Sequence, residues 1–145
     1  MKIRDCMTRD VKMVTPDSTL REAAKMMAEL DAGLVPVNDG DQLVGMITDR
    51  DIAIRGIAAG KGPDGKVSEC MSAEVKYCFM DDDVAEVLRN MGDIKLRRLP
   101  VLNSAKRLVG IVSIGDLATN GAAVMAGNAL NEISQPGGEH SQQLH

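Results

Sequence analysis

The chain has 145 residues, of which 44% are apolar, and its formal net charge is −4. This length fits one compact domain or two small subdomains that share a core. Nucleic-acid binding requires a basic face, which an acidic chain supplies poorly. No apolar run approaches the ~20 residues that span a bilayer. The composition therefore argues against nucleic-acid and membrane roles.

The N-terminal residues Met1–Asp5 place charges where a signal peptide would carry its apolar region. We therefore expect a cytoplasmic location. Three cysteines, an odd number, argue against a disulfide framework. Cys6 and Cys70 occupy matching places in the two halves of the chain, where we interpret them as small buried apolar residues. The alternative is a pair of metal ligands or redox thiols.

The two halves of the chain match when the sequence is shifted by 64 positions. Ile3–Thr8 then falls on Val67–Ser72, and Pro36-Val37 falls on Pro100-Val101. One inserted residue in the polar stretch 103–106 changes the offset to 65 for the remainder. A repeated unit accounts for these matches, and we predict one repeat at 1–60, a linker at 61–66, a second repeat at 67–122 and a flexible tail at 123–145.

Each repeat predicts the order strand, helix, strand, strand, helix. Copy one begins with an extended segment at 11–15, followed by a helix whose capping box is Thr19 and Glu22. The apolar spacing places Leu20, Ala23, Ala24 and Met27 on the inner face of that helix. Strands are predicted at 34–37 and 43–47, before a helix that starts near Thr48 with the inner face Ile52, Ala53 and Ile57.

Copy two repeats the same order. Asp83 and Glu86 are its capping box, followed by the inner face Val84, Val87, Leu88 and Met91. Strands are predicted at 98–101 and 108–112, and the last helix starts near Ser113. We predict an α/β (α+β) fold in which the two repeats pack through their sheets, because about sixty residues alone make a marginal core.

The start of the last helix in each copy carries a hydroxyl and a carboxylate at one spacing. Thr48 leaves an apolar strand and is a candidate N-cap, and Asp51 follows one turn later. Free N–H groups and a hydroxyl suit phosphate, and a carboxylate suits the two adjacent hydroxyls of a ribose. Ser113 and Asp116 repeat the pattern. The alternative is a plain structural cap, in which the acid stabilises the helix by about 0.3–1 kcal/mol.

The apolar-Pro-Val strand and the Gly-x-x-Ser/Thr-x-x-Asp signature, present in both copies in one order, resemble a tandem pair of cystathionine β-synthase (CBS) domains. Gly45–Ile52 is especially similar to stand-alone bacterial members. The resemblance covers about residues 1–120. It implies pseudo-twofold symmetry and a regulatory module that binds an adenosine-containing nucleotide in the cleft between the copies. AMP, ADP, ATP, NAD and S-adenosylmethionine are the candidate regulatory ligands, and no cofactor is obligatory.

The resemblance also implies an apolar slot for the base. Carried over, its positions are Thr15, Val35 and Val37 in copy one, and Phe79, Leu99 and Val101 in copy two. It further implies a homodimer, for which the Met-bearing helices 19–30 and 83–94 are suited, and a regulated protein partner.

Two arginines are candidates for phosphate contacts. Arg50 and Arg98 each offer a planar fork of donors, and the alternative is surface charges without a fixed partner. The copies differ here, because Arg97-Arg98 replaces Gly33-Leu34 and Gly115 replaces Arg50. We therefore expect the sites to be inequivalent, and we favour copy one.

Catalysis is not expected. Both histidines, His140 and His145, lie in the predicted tail, so no nucleophile–base pair can be assembled. Two other hypotheses remain open besides nucleotide sensing. One is a protein–protein or dimerisation module with a decayed nucleotide site, and the other is a metal or redox sensor that uses Cys6 and Cys70.

Overall fold

The computed structural model of the protein describes residues 1–135. The elements are α1 (Leu20–Leu30), β1 (Leu34–Asp39), β2 (Gln42–Thr48), α2 (Asp49–Asp51, continued by a π-helix over Ile52–Ile57), β3 (Cys78–Phe79), α3 (Val84–Ile94), β4 (Arg98–Leu102), β5 (Leu108–Ser113), α4 (Ile114–Leu117, continued by a π-helix over Ala118–Ala122) and α5 (Ala123–Ser134). Single 3₁₀ turns lie at Ile3–Asp5 and Val67–Glu69. The predicted mixed α/β class is confirmed.

The chain forms two compact units whose boundaries differ from those of the sequence repeats. The first unit is Lys12–Val75, and the second joins Met1–Val11 to the chain from Lys76 onward. The opening 3₁₀ turn of each repeat bonds to the body of the other repeat's chain. The Ile3 N–H donates to Asp82 O (3.0 Å), and the equivalent Val67 N–H donates to Ser18 O (2.8 Å). Each unit therefore contains segments of both repeats.

The first unit is built on the antiparallel pair β1–β2. Val35, Val37 and Ile47 are fully buried in its core together with Leu20, Ala23 and Met27 of α1. The predicted capping box of α1 is confirmed, since Glu22 N–H donates to Thr19 Oγ1 (3.1 Å) and Thr19 N–H donates to Glu22 Oε2 (3.4 Å). Ala24, which we predicted on the inner face, is exposed.

The opening strand of the first unit is reduced to one position. Val14 forms an isolated parallel bridge to Val37, and the rest of the predicted 11–15 strand has no such pairing. The sheet has a register shift between Val37 and Asn38.

The second unit has a three-stranded sheet in the order β3–β4–β5, with β3 parallel to β4 and β4 antiparallel to β5. The predicted inner face of α3 is confirmed, because Val84, Val87, Leu88 and Met91 are buried. The predicted cap of this helix is wrong. The Asp83 side chain makes no capping hydrogen bond, and its carboxylate lies instead 3.8 Å from the N-terminal ammonium of Met1.

The inner face predicted after Thr48 is also wrong in part. Ala53 is exposed and Ile57 is 61% exposed, whereas Gly56 is buried. The cause is the π-helix, in which Ala58 N–H bonds to Ala53 O, five residues earlier. Its wider turn moves every later side chain away from the position that 3.6-residue periodicity assigns.

The predicted flexible tail is wrong for residues 123–134, which form α5. Ala126 and Ala129 of this helix are buried in the core of the second unit. A Cβ atom at Gly92 of α3 would lie 3.4 Å from Ala129 Cα, so small residues on both helices permit close packing. Residues 136–145 of the predicted tail lie outside the described part of the chain. No helix within residues 1–135 combines the length and apolarity needed to cross a membrane.

Candidate functional site

Thr48 and Asp51 form a reciprocal capping box where β2 passes into α2. Asp51 N–H donates to Thr48 Oγ1 (3.0 Å), and Thr48 N–H donates to Asp51 Oδ2 (3.0 Å). Thr48 is in extended conformation, and Asp49 is the first helical residue. The Asp51 side chain is 18% exposed, and its Oδ1 lies 4.0 Å from Arg55 Nε. Both predicted residues are therefore held in fixed positions at the end of the strand.

Ser113 and Asp116 repeat this box where β5 passes into α4. Asp116 N–H donates to Ser113 Oγ (3.0 Å), and Ser113 N–H donates to Asp116 Oδ2 (3.1 Å). Within residues 1–135 no arginine forms an ion pair with Asp116. Asn120 stands at the position equivalent to Arg55, and its Nδ2 donates to Asp116 O (2.6 Å). The two boxes thus share one geometry and differ in the charges around them.

The structural and the ligand-binding interpretations of the boxes are compatible. Each hydroxyl oxygen accepts one N–H bond, which leaves its hydrogen available to donate. Each carboxylate uses Oδ2 for the cap, which leaves Oδ1 available to accept. A box that stabilises the helix can therefore still offer one donor and one acceptor to a ligand.

The predicted slot residues fall into two groups. The side chains of Val35, Val37, Leu99 and Val101 are all 0% exposed and belong to the cores of the two units. None of these four residues presents accessible surface to a ligand in the described part of the chain.

The other two slot residues, Thr15 and Phe79, are accessible. Thr15 is exposed, and its N–H donates to Ser18 Oγ (3.0 Å). Phe79 is half-buried and makes an edge-on contact with Tyr77, with ring centroids 5.5 Å apart.

The two predicted phosphate ligands flank the boxes. Arg98 is half-buried and lies directly opposite Ser113 in the antiparallel pair β4–β5. Arg50 is half-buried and follows Asp49, whose Oδ1 accepts the Arg50 N–H (2.8 Å). Within residues 1–135 neither guanidinium makes an ion pair.

Sequence reasoning did not identify Asp49 and Arg97 as neighbours of the boxes. Asp49 N–H donates to Gly33 O (3.0 Å), and Ile114 N–H donates to Arg97 O (3.0 Å) in the same way. The Asp49 carboxylate leans over Gly33, where a Cβ atom would lie 2.8 Å from Asp49 Oδ2. The sequence did carry one sign of this difference, because Gly33 of copy one aligns with Arg97 of copy two.

Comparison with known proteins identifies the family. The family model of the CBS domain matches residues 3–55 and 67–122, which together make up more than half of the chain. The chain belongs to the CBS domain family.

Individual relatives agree with this assignment. The CBS domain-containing protein YhcV of Bacillus subtilis is 40% identical over 133 residues, covering 91% of this CBS pair and 94% of YhcV. Hypoxic response protein 1 of Mycobacterium tuberculosis is 41% identical over 117 residues, covering 79% of this chain and 81% of that protein.

Solved structures show the same fold. A crystal structure of Hypoxic Response Protein I with two coordinated zinc ions has a TM-score of 0.75 at 39% identity, covering 82% of this CBS pair and 98% of that chain. A crystal structure of CBSX2 in complex with AMP has a TM-score of 0.73 at 22% identity, covering 85% and 97% respectively, and shows the shared fold.

The cysteines of this CBS pair are poorly suited to bind metal or to react. Cys6, Cys70 and Cys78 are buried free thiols. Burial is the main cause that raises the pKa of Cys6 and of Cys70, which disfavours the thiolate form that metals and oxidants require. Within residues 1–135, no three His, Cys, Asp or Glu side chains are grouped to hold a metal ion. The described geometry therefore gives the sensor hypothesis for Cys6 and Cys70 no support.

Proposed function

We propose that this CBS pair is a regulatory module that binds an adenosine-containing nucleotide at its capping boxes, without catalysing a reaction. The observation that carries the proposal is the recurrence of one constrained box, Thr48 with Asp51 and Ser113 with Asp116. AMP, ADP, ATP, NAD and S-adenosylmethionine are the candidate ligands. The AMP bound by CBSX2 makes AMP the first ligand to test.

The chemistry of each box fits the sugar and phosphate of such a ligand. Oδ1 of Asp51 or Asp116, the carboxylate oxygen that does not form the cap, accepts from ribose hydroxyls, and the hydroxyl of Thr48 or Ser113 donates to a phosphate or sugar oxygen. Arg50 and Arg98 supply charge-assisted donors to phosphate.

The predicted positions in the first unit span a distance suited to a nucleotide. Thr48 pairs with Leu34 at the start of β1, whereas Val14, next to Thr15, bridges Val37 three positions later. Three strand positions correspond to about 10 Å. A ligand that contacts both ends is therefore larger than a phosphate ion. Strand β1 lies between them.

Regulation follows from differential affinity. A ligand shifts a conformational equilibrium only by the difference between its affinities for the two states. We propose that a cytoplasmic protein partner distinguishes those states and so responds to the supply of nucleotide.

A thermal-shift panel of the candidate ligands tests the proposal. Binding at a hundredfold excess over Kd adds about 2.7 kcal/mol, which corresponds to about 5–10 °C for a domain of this size. Asp51→Ala and Asp116→Ala should each remove the shift due to one site, and the double variant should remove all of it. An unchanged shift in the double variant, or no shift with any ligand at millimolar concentration, would contradict the proposal.

The chain offers a matched control for the loss of a cap. Glu22 forms the same reciprocal box with Thr19, but that box is part of α1 and of no proposed site. Glu22→Ala should lower the melting temperature of the free protein as the Asp variants do, because each loses a cap. Its ligand-induced shift should equal that of the wild type.

A second candidate function, a dimerisation module, is favoured by exposed apolar side chains. Ile54 (50%), Ile57 (61%), Val124 (78%) and Leu130 (40%) are exposed on the helical segments after the boxes. By contrast, Met27 and Met91 of the helices predicted for this role are buried. We propose a homodimer that buries the segments around Ile57 and Val124. Sedimentation equilibrium should show Ile57→Glu and Val124→Glu weakening association, and a wild-type monomer at all concentrations would contradict this.

A further inference from the structure

The surroundings of the two boxes carry different charge. At the first box, Asp49 and Asp51 bring two carboxylates, and Arg50 and Arg55 bring two guanidiniums. The Asp49 carboxylate is exposed and occupies the space over Gly33. Asp51 has Arg55 as a neighbour at 4.0 Å, whereas Asp49 makes no ion pair among residues 1–135. An anionic ligand at this box therefore approaches an uncompensated carboxylate.

The second box has an excess of positive charge. Ile114 and Gly115 replace Asp49 and Arg50, so Asp116 is the one carboxylate in the helical turn that starts there. Arg98 lies opposite Ser113 in the β4–β5 pair, and Arg97 O accepts from Ile114 N–H. The first unit has Leu34 and Gly33 at these two positions. Within residues 1–135 neither guanidinium has an ion-pair partner. Two arginines and one carboxylate thus belong to the segments that form this box.

Charge of this kind changes affinity for a phosphate measurably. Two unit charges 4 Å apart alter a binding constant by about fivefold even when the medium between them is water-like, and by more when they are partly buried. The charged side chains are neutral in sum at the first box and carry one net positive charge at the second, and the difference comes from residues outside the shared hydroxyl–carboxylate motif. The boxes can therefore accept the same ribose and still discriminate between the groups attached to it.

We propose that the two sites divide adenosine ligands by charge. The Ser113–Asp116 site takes adenosine ligands whose 5′ substituent is a phosphate. The Thr48–Asp51 site takes those whose 5′ substituent is uncharged or cationic, such as a thioether or a sulfonium. This inference rests on the proposed function, because it assigns a ligand class to each site of the nucleotide-binding module. It reverses the preference for copy one where AMP is the ligand.

Calorimetric titration of single-site proteins tests the division. Asp116→Ala leaves the first site and Asp51→Ala leaves the second, and each is titrated with AMP and with 5′-methylthioadenosine. We expect Asp51→Ala to bind AMP at least about fivefold tighter than the thioether, and Asp116→Ala to show the opposite order. Equal preferences in the two proteins would overturn the division and leave the proposed function intact. Absence of binding by the wild type to both ligands would overturn the proposed function as well.

Exchange variants that leave both boxes intact give a second test. Asp49→Ile introduces the residue of the second unit, and Arg97→Gly introduces that of the first. Asp49→Ile should tighten AMP binding at the first site by about fivefold, and Arg97→Gly should weaken it at the second by a similar factor. Neither should alter thioether binding by more than about twofold. Asp64→Asn is the control for total charge, because Asp64 is 82% exposed and pairs with Arg21. An AMP affinity that changes as much in Asp64→Asn as in Asp49→Ile would overturn the proposal.

Discussion

The side chain of Met7 packs directly on the backbone of Gly110. A Cβ atom at that glycine would lie 2.7 Å from Met7 Sδ and 2.9 Å from Thr8 O. Gly45 has the same relationship to Met71 Sδ (2.7 Å) and Ser72 O (2.9 Å). The glycine that opens each Gly-x-x-Ser/Thr-x-x-Asp signature is therefore required by the opening segment that crosses it.

Gly110→Ala should destabilise the protein by about 1–3 kcal/mol, because the added methyl group meets Thr8 O, which cannot move without weakening the hydrogen bond that it accepts from Ile111 N–H (3.0 Å). Urea unfolding measures the change. Gly62→Ala is the matched control, since a Cβ atom there has nothing within 4 Å. A loss in Gly110→Ala no larger than that in Gly62→Ala would show that the close approach is not limiting.

Asn38→Leu should stabilise the free protein by about 1 kcal/mol. Asn38 is 6% exposed, and its Oδ1 has no hydrogen-bond partner in the described part of the chain. A buried acceptor without a partner costs about 1–3 kcal/mol, and leucine of similar size removes that cost. The second unit already has Leu102 at this position, so Leu102→Asn is the reverse experiment and should destabilise. Chemical denaturation of both variants measures the pair, and destabilisation by Asn38→Leu would refute the argument.

Stability should fall above pH 9 because of Cys78. Burial raises the pKa of this thiol to about 12 from a usual value of 9.0. The folded state therefore holds its proton more tightly than the unfolded state does. The resulting stability is complete below pH 9 and is lost between pH 9 and about 12, at up to about 1.4 kcal/mol per pH unit. Unfolding free energies measured across this range should have a shallower slope in Cys78→Ala, and identical slopes would refute the assignment.

Ala126→Asp should destabilise the protein by several kcal/mol, because it places a carboxylate in the core beneath α5. Asn128→Asp makes the corresponding change on the exposed side of the same helix and should stay within about 0.5 kcal/mol of the wild type. Thermal or urea unfolding compares the two. Equal effects would mean that α5 does not pack on the second unit as described.

The sequence predicts features that depend on neighbouring residues. The capping box of Thr19 with Glu22 and the pairs Thr48–Asp51 and Ser113–Asp116 all form, because a box requires only an N-cap and a residue three positions later. The inner face of α3 forms because regular α-helical spacing continues through Met91. Asp83 fails as a cap because the N-terminus, distant in sequence, lies near its carboxylate.

Features that depend on distant contacts were not predictable from local pattern. The membership of Met1–Val11 in the second unit rests on hydrogen bonds such as that from Ile3 to Asp82, which no periodicity reveals. Helix α5 was missed because its Gly, Asn and Ala residues have low apolar contrast, although Ala126 and Ala129 suit close packing at Gly92. The charges near the boxes could not be located from the sequence alone. Strand pairing brings the segment of Arg97 next to the second box, and a hydrogen bond from Asp49 N–H to Gly33 O fixes Asp49 beside the first.

Because the Ile3 and Val67 turns each complete the unit formed by the other repeat, a fragment cut at residue 66 would not be self-sufficient. The N-terminal piece would lack the segment that closes its own core and would retain one that belongs elsewhere. Mixed together, the two pieces should complement each other and restore both units. Each repeat therefore depends on the other for a complete fold. A protein with a single repeat would need a second molecule to supply the missing turn.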